Sequence, residues 1–130
     1  MQKRDTILLV DDVEMNRVIL AGLFEDEYQI LQAENGEQAL LLLKQYHESL
    51  VVMLLDVVMP VKDGYQVLAE MRADGLLDEV PAIVITAENS LESELRAFDL
   101  GASDIIVKPF EPHVVTRRVR NIIELSLHKH

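Results

Sequence analysis

Residues 51–56 read Val-Val-Met-Leu-Leu-Asp: five apolar side chains in succession, followed by a carboxylate. A short run without polar alternation predicts a strand buried on both faces, which is typical of the interior of a parallel sheet. Ligands of open α/β sheets bind beyond the carboxyl ends of the strands, so Asp56 lies where a functional residue is expected. This stretch therefore predicts the fold class and the first candidate site residue together.

Similar apolar runs occur along the whole chain, separated by amphipathic stretches. The predicted strands are Ile7–Val10, Tyr28–Ala33, Val51–Leu55, Ala82–Thr86 and Ile105–Val107. Tyr28–Ala33 alternates more than the others, which predicts a less covered strand. Each intervening stretch has an apolar face at helical spacing; Leu91, Leu95 and Phe98 mark that of the fourth helix. This alternation predicts a single doubly wound (βα)5 domain, with a five-stranded parallel sheet between helices.

The composition indicates one ordinary globular domain with an acidic surface. The 130 residues include 12 Lys+Arg and 23 Asp+Glu, a net charge of −11, and no cysteine. The lack of cysteine excludes disulfides, thiolate zinc sites and cysteine nucleophiles. The negative charge argues against nucleic acid and anionic membranes as partners of this domain. The apolar runs are too short for a secretory signal or a spanning helix, so we expect a cytoplasmic protein.

Polar side chains lie at the ends of four of the five predicted strands. Asp11 and Asp12 follow the first strand, Asp56 follows the third, Thr86 ends the fourth and Lys108 follows the fifth. Alone, each is typical of a helix cap, a turn or the surface. Because the carboxyl ends of parallel strands share one edge of the sheet, we expect these five side chains to form one site.

The residue types in this predicted site favour phosphoryl chemistry. Carboxylates without His or Cys suit a hard cation, and few carboxylates with room for water favour Mg²⁺ over Ca²⁺. The sequence contains neither GxxxxGK[ST] nor GxGxxG, so no bound nucleotide is expected. A carboxylate beside a cation, a lysine and a hydroxyl can instead accept a phosphoryl group, whose charge the metal and lysine neutralise.

At this point the sequence resembles the response-regulator receiver domains of two-component signalling. The resemblance runs from about residue 7 to about residue 123 and rests on Leu8–Asp12, Leu54–Gly64, Ile85–Ala87 and Val107–Phe110, in that order. It implies a CheY-like, flavodoxin-like sandwich with strand order 2-1-3-4-5. It also implies a receiver domain over residues 1–123, with 124–130 as an extended C-terminal helix or the start of a linker to an effector domain.

The resemblance implies a metal site and a phosphoacceptor. Asp56 is expected to receive the phosphoryl group from a sensor histidine kinase or a histidine phosphotransfer protein. Asp12 and Asp56 are expected to bind Mg²⁺ directly, with the backbone carbonyl of Val58 as a third ligand and Asp11 acting mostly through water. Mn²⁺ is the expected substitute for Mg²⁺.

The resemblance also implies a switch at Thr86, Ala87 and Ile105. Thr86 is expected to bind a phosphoryl oxygen and to move inward, while Lys108 pairs with the phosphoryl group beside a cis peptide to Pro109. The family commonly has Tyr or Phe where this chain has Ile105, so no aromatic rotamer can report activation here. We therefore expect the loop after Thr86 and the fourth helix to carry the change.

Three functions fit these residues. The first is a phosphorylation-operated switch, which turns over no separate substrate and controls an attached or separate effector. The second is a Mg²⁺-dependent phosphatase or phosphotransferase of the haloacid-dehalogenase type, whose second Asp is replaced here by Val58. The third is a phosphorylation-independent receiver-like binding module. Such a module is expected to lack the phosphoacceptor Asp or the Lys, whereas this chain has both Asp56 and Lys108.

The fifth predicted helix suggests two kinds of partner. Its segment 118–125 is similar to segments in receivers joined to cyclic-dinucleotide synthases or phosphodiesterases, so we expect the N-terminal part of a longer regulator. It also carries a basic stretch that is either a solvated face or a homodimer surface, pairing with acidic residues of the fourth helix. The residues concerned are Arg117, Arg118 and Arg120 on one side and Glu92, Glu94 and Asp99 on the other.

Overall fold

Five parallel strands and five α-helices alternate in a computed structural model that describes residues 4–59 and 61–129. The strands are β1 (Thr6–Val10), β2 (Gln29–Ala33), β3 (Leu50–Asp56), β4 (Ala82–Thr86) and β5 (Asp104–Val107). The helices are α1 (Glu14–Phe24), α2 (Gly36–Tyr46), α3 (Gly64–Ala73), α4 (Leu91–Asp99) and α5 (Pro112–Lys129), and a 3₁₀ turn covers Leu76–Asp78.

The strands form one sheet in the order β2-β1-β3-β4-β5, with every neighbouring pair parallel. The predicted fold class and strand order are therefore confirmed, and the strand boundaries differ from the prediction by about one residue. The edge strand β2 is only partly covered, as its alternation indicated. None of the helices in the described ranges has the length and apolar character needed to cross a membrane.

The continuous apolar run of β3 results from burial on both faces of the sheet. All seven residues of β3 are buried. Met53 and Leu55 belong to the core under α2 and α3, while Val52 and Leu54 belong to the core under α1 and α5. A central strand packed between two helical layers has no solvent face on which a polar side chain could alternate. Asp56, the polar residue of β3, accordingly lies at the carboxyl end of the strand.

Side-chain caps determine where three of the helices begin. Asn35 accepts a hydrogen bond from the Gln38 N–H at the start of α2, and Ser90 accepts one from the Ser93 N–H at the start of α4. Asp63 and Gln66 form a reciprocal capping box at the start of α3. These caps satisfy N–H groups that have no partner within the helix. They also hold α3 and α4 close to the ends of β3 and β4.

Gly64 allows α3 to begin directly behind the carboxyl end of β3. A Cβ atom at this position would lie 2.7 Å from both the Asp56 carbonyl oxygen and the Val57 Cα. These are backbone atoms of the strand end and cannot move aside as a flexible side chain could. The lack of a side chain at Gly64 thus sets the distance between α3 and the candidate site.

The apolar side of α4, which helical spacing predicts, points away from the core. Leu91, Leu95 and Phe98 are 71, 52 and 45% exposed. The residues of α4 that are buried are Ser93 and Ala97. Small side chains let this helix approach the body of the domain closely, and its larger apolar residues remain on the opposite side.

Two glycine-to-alanine substitutions test this packing. We expect Gly64→Ala to lower the free energy of unfolding by about 2 kcal/mol, because the methyl group overlaps backbone at the end of β3. Gly22→Ala is the matched control, since Gly22 lies within α1 and, apart from its chain neighbours and the backbone of its own helix, no described atom lies within 4 Å of the place that an added Cβ would occupy. We expect it to raise stability by about 0.5–1 kcal/mol, through the higher helix propensity of alanine. Urea denaturation measures both, and equal effects of the two substitutions would contradict this account.

Candidate functional site

The central strands bring three carboxylates together at the carboxyl edge of the sheet. β1 and β3 are neighbours, with Val10 opposite Leu55, so the residues that follow them lie side by side. Carboxylate oxygens of Asp11, Asp12 and Asp56 lie within 4.8 Å of one another. Asp11 and Asp56 are buried, whereas Asp12 is exposed. These three side chains therefore lie together, as their positions at the strand ends predict.

The ammonium group of Lys108 faces this acidic cluster. Its Nζ lies 3.3 Å from the Asp56 Oδ2 and 3.7 Å from the Asp11 Oδ2. The Lys108–Pro109 peptide is cis, as the resemblance implied, and the Lys108 N–H donates to the Thr86 carbonyl oxygen at 2.7 Å. These backbone contacts keep Lys108 beside the end of β4. Three carboxylates and one ammonium leave an excess of negative charge at this edge.

The residues predicted to form the switch lie within or directly after β4 and β5. Thr86 is buried, and its hydroxyl oxygen accepts a hydrogen bond from the Glu88 N–H at 3.0 Å. Ala87 is exposed directly after β4. Ile105 is buried in β5, where it lies opposite Val84 of β4. The structure therefore places Thr86 and Ala87 at the edge that holds the carboxylates and Ile105 within the neighbouring strand, and their roles stay predictions.

Val58 contributes its backbone to the site. Its N–H donates to the Asp56 Oδ1 at 3.2 Å, while its side chain is exposed to solvent. This bond holds one oxygen of Asp56, and Lys108 faces the other. The expected ligation of a metal ion by the Val58 carbonyl oxygen stays a prediction.

The folded chain disfavours the ionised form of the Asp56 carboxyl. Burial raises its pKa above the ordinary value of 3.8, and the neighbouring charge of Asp11 raises the pKa further. The Val58 N–H and the Lys108 ammonium act in the opposite direction without offsetting these effects. A divalent cation would stabilise the ionised cluster, and a donor set made only of carboxylate oxygens suits a hard ion such as Mg²⁺. The residues present therefore fit this metal.

Two residues of α1 that the sequence analysis did not identify also contact the site. The Asn16 Nδ2 donates to the Asp11 Oδ2 at 3.2 Å, and the Arg17 Nη1 donates to the Asp11 carbonyl oxygen at 2.7 Å. The available signal was their position in the first helical turn after a strand-end acid. Polar residues on that turn can reach back to the end of the strand.

Comparison with known proteins gives the chain a family context. Residues 7–120 match the family model described as "Response regulator receiver domain". The "Probable transcriptional regulator ycf27" of Porphyridium aerugineum is 36% identical over 123 residues, which cover 95% of this chain and 49% of that protein. "Histidine kinase P4" of Formosa agariphila is 33% identical over 123 residues, covering 95% of this chain and 9% of that protein. The chain spans about half the length of the ycf27 relatives that it matches.

Solved structures show the same architecture. A putative response regulator from Chloroflexus aurantiacus is 30% identical with a TM-score of 0.85, over 94% of this chain and 99% of that one. The CheX-CheY-BeF3-Mg²⁺ complex from Borrelia burgdorferi contains a chain 27% identical with a TM-score of 0.84, over 92% of this chain and 90% of that one. Both likenesses extend over more than nine-tenths of this chain, so they concern the fold as a whole.

The raised pKa of Asp56 predicts a pH dependence of stability. The folded chain binds the Asp56 proton more tightly than the unfolded chain does, so ionisation of Asp56 destabilises the fold as pH rises through its folded pKa. In metal-free buffer, we expect Asp56→Asn to be more stable than the wild type near neutral pH. This advantage should shrink as the pH falls through the folded pKa, because the wild-type carboxyl becomes neutral too.

Urea denaturation over a range of pH, with a chelator present, measures this difference. Asp26→Asn is the matched control, since Asp26 is an exposed carboxylate in the turn after α1. A pH dependence common to both variants would show that the effect does not come from the acidic cluster.

Proposed function

This chain belongs to the response regulator receiver family of two-component systems, and from this premise we propose that phosphorylation of Asp56 operates it as a switch. The observation that carries the proposal is the Lys108 ammonium, 3.3 Å from Asp56 within a cluster of three carboxylates. A buried carboxylate with an adjacent cation is equipped to attack phosphorus and to hold the charged product. The histidine kinase or histidine phosphotransfer protein of a two-component system is the proposed donor.

In the proposed transfer, an Asp56 carboxylate oxygen attacks the phosphorus of a phosphohistidine. A P–O bond to Asp56 forms as the P–N bond of the donor breaks, and its electron pair returns to the imidazole ring. The Val58 N–H holds the Asp56 Oδ1 in place, while the Lys108 ammonium balances negative charge on the phosphoryl oxygens. The Thr86 hydroxyl supplies a hydrogen bond to one of these oxygens.

We propose that Asp12, Asp56 and the Val58 carbonyl hold Mg²⁺ directly and that Asp11 acts on the ion through water. When bound, Mg²⁺, or Mn²⁺ in its place, supplies positive charge that offsets repulsion between the phosphoryl group and the carboxylates. The fit of the all-carboxylate donor set supports this assignment.

The switch is proposed to run from Thr86 through its loop to α4. The Glu88 N–H donates to the Thr86 Oγ1, and the Ser93 Oγ donates to the Glu88 carbonyl oxygen at 3.5 Å. A Thr86 hydroxyl that turns toward a phosphoryl oxygen leaves the Glu88 N–H and disturbs this connection to the first turn of α4. Ala87 moves with the loop. The buried Ile105 adjusts its packing against its neighbours, since it has no aromatic ring that could change rotamer. These contacts support movement of the loop and α4.

We propose that the outward side of α4 is read by an effector, either attached or separate, and that it also supports a homodimer through α4 and α5. The exposed Leu91, Leu95 and Phe98 supply apolar area for such contacts. The basic stretch of α5 supports the dimer less than its sequence indicated. Arg118 pairs with Asp104, and Arg120 pairs with Glu27 of the same chain.

The proposed organisation is a receiver domain over residues 1–123, with residues 124–130 leading toward an effector domain. The helix α5 continues through this segment to Lys129, which supports the extended-helix form. The curated relatives described above are named as a transcriptional regulator and a histidine kinase. They support an output in gene regulation or phosphorelay more than a cyclic-dinucleotide output. We place the domain in the cytoplasm, without direct contact of its own with nucleic acid or membrane.

Intact mass spectrometry after incubation with Mg²⁺ and acetyl phosphate tests the proposed function. We expect one added phosphoryl group on the wild type and none with Asp56→Asn or with a chelator. Asp99→Asn is the matched control, because Asp99 lies at the far end of α4, and it should be modified like the wild type.

A wild type that binds Mg²⁺ but forms neither an adduct nor a beryllofluoride complex would contradict the proposal and favour a phosphorylation-independent binding module.

Sedimentation of the phosphorylated sample tests the homodimer. A chain that stays monomeric at every concentration would contradict that part.

A further inference from the structure

The Asp11 carboxylate is held on both oxygens by its own chain. Its Oδ1 accepts the Val13 N–H at 2.9 Å, and its Oδ2 accepts the Asn16 side-chain amide at 3.2 Å. The side chain is only 3% exposed. Hydrogen bonds from two directions at a buried position fix its rotamer, because a rotation about χ1 or χ2 would leave a charged oxygen unpaired.

Arg17 fixes the backbone of the same residue. Its Nη1 donates to the Asp11 carbonyl oxygen, and its Nε donates to the Gln32 Oε1 on the edge strand β2 at 3.0 Å. The guanidinium thus links α1, the end of β1 and β2. The side chain of Asp12, the next residue, is exposed and has no hydrogen bond or ion pair with any other described residue. One acid of the pair is therefore held and its neighbour is free.

We propose that Asn16 and Arg17 are positioning residues for the cation site. They hold the Asp11 carboxylate in one orientation as a fixed negative charge, while Asp12 and Asp56 contact the ion directly. Without the Asn16 amide, Lys108 is the donor that remains beside the Asp11 Oδ2 among the described residues, and Asp11 then competes with Asp56 for that ammonium. This inference rests on the proposed function, since it concerns the same metal site.

Residues that orient a metal site from behind its ligands commonly change metal affinity by about 10–100-fold. We therefore expect Asn16→Ala to weaken Mg²⁺ binding about 10-fold, as measured by isothermal titration calorimetry. Asn121→Ala, at an exposed position of α5, is the matched control and should bind Mg²⁺ like the wild type. In the metal-free state, Asn16→Ala loses a hydrogen bond to a buried carboxylate but gains helix propensity, so we expect its thermal stability to be close to that of the wild type.

Phosphorylation by acetyl phosphate gives a second readout. The Mg²⁺ concentration for half-maximal rate should rise about 10-fold in Asn16→Ala, in proportion to the loss of affinity. The rate at saturating Mg²⁺ should stay close to that of the wild type, because the residues that contact the phosphoryl group are unchanged. A merely structural role of Asn16 would lower the saturated rate or the stability instead.

The two proposals fail separately. Unchanged Mg²⁺ affinity in Asn16→Ala, with a wild type that is phosphorylated on Asp56, overturns the positioning role alone. Weakened Mg²⁺ binding in Asn16→Ala, with a wild type that is never phosphorylated, upholds the positioning role and overturns the proposed function.

Discussion

Three carboxylates lie together at the carboxyl edge of the sheet, where their negative charges repel one another. The parallel pairing of β1 with β3 forces Asp11 and Asp56 together, and burial of β3 along its whole length keeps Asp56 out of water. The apolar core on both faces of the sheet offsets this unfavourable cluster. Lys108 balances only part of its charge. Further positive charge at this edge, such as that of a divalent cation, would offset the remaining repulsion.

The same edge connects the site to the surface. Both α3 and α4 begin just beyond strands that end at the acidic cluster, α3 at Gly64 and α4 after the short loop from Thr86. Helix α4 is held by small residues and by hydrogen bonds of Ser93 to its first turn and loop, rather than by large apolar side chains. A helix with such limited apolar burial can shift at modest cost in stability, as the proposed switch at Thr86 requires.

The fold and the acidic cluster could be predicted from the sequence because both depend on local patterns. The apolar run before Asp56 identifies a buried strand, and residues at the ends of parallel strands meet without knowledge of side-chain packing. The orientation of α4 could not be predicted, because helical spacing identifies an apolar side but not the direction in which it points. Ser93 and Ala97 form its buried side. Asn16 and Arg17 were missed because their contacts depend on the turn between β1 and α1, whose geometry the sequence does not specify.

We expect excess negative charge at this edge of the sheet to destabilise the metal-free fold and a bound cation to relieve that effect. Urea denaturation of the wild type and Asp12→Asn at neutral pH, with chelator and with saturating Mg²⁺, tests it most directly. We expect the order of stability to reverse between the two conditions. In chelator, Asp12→Asn is the more stable protein, because one repelling charge is gone. In Mg²⁺ it is the less stable one, because a ligand is lost. An Asp12→Asn protein that is no more stable than the wild type in chelator, and is stabilised equally by Mg²⁺, would contradict it.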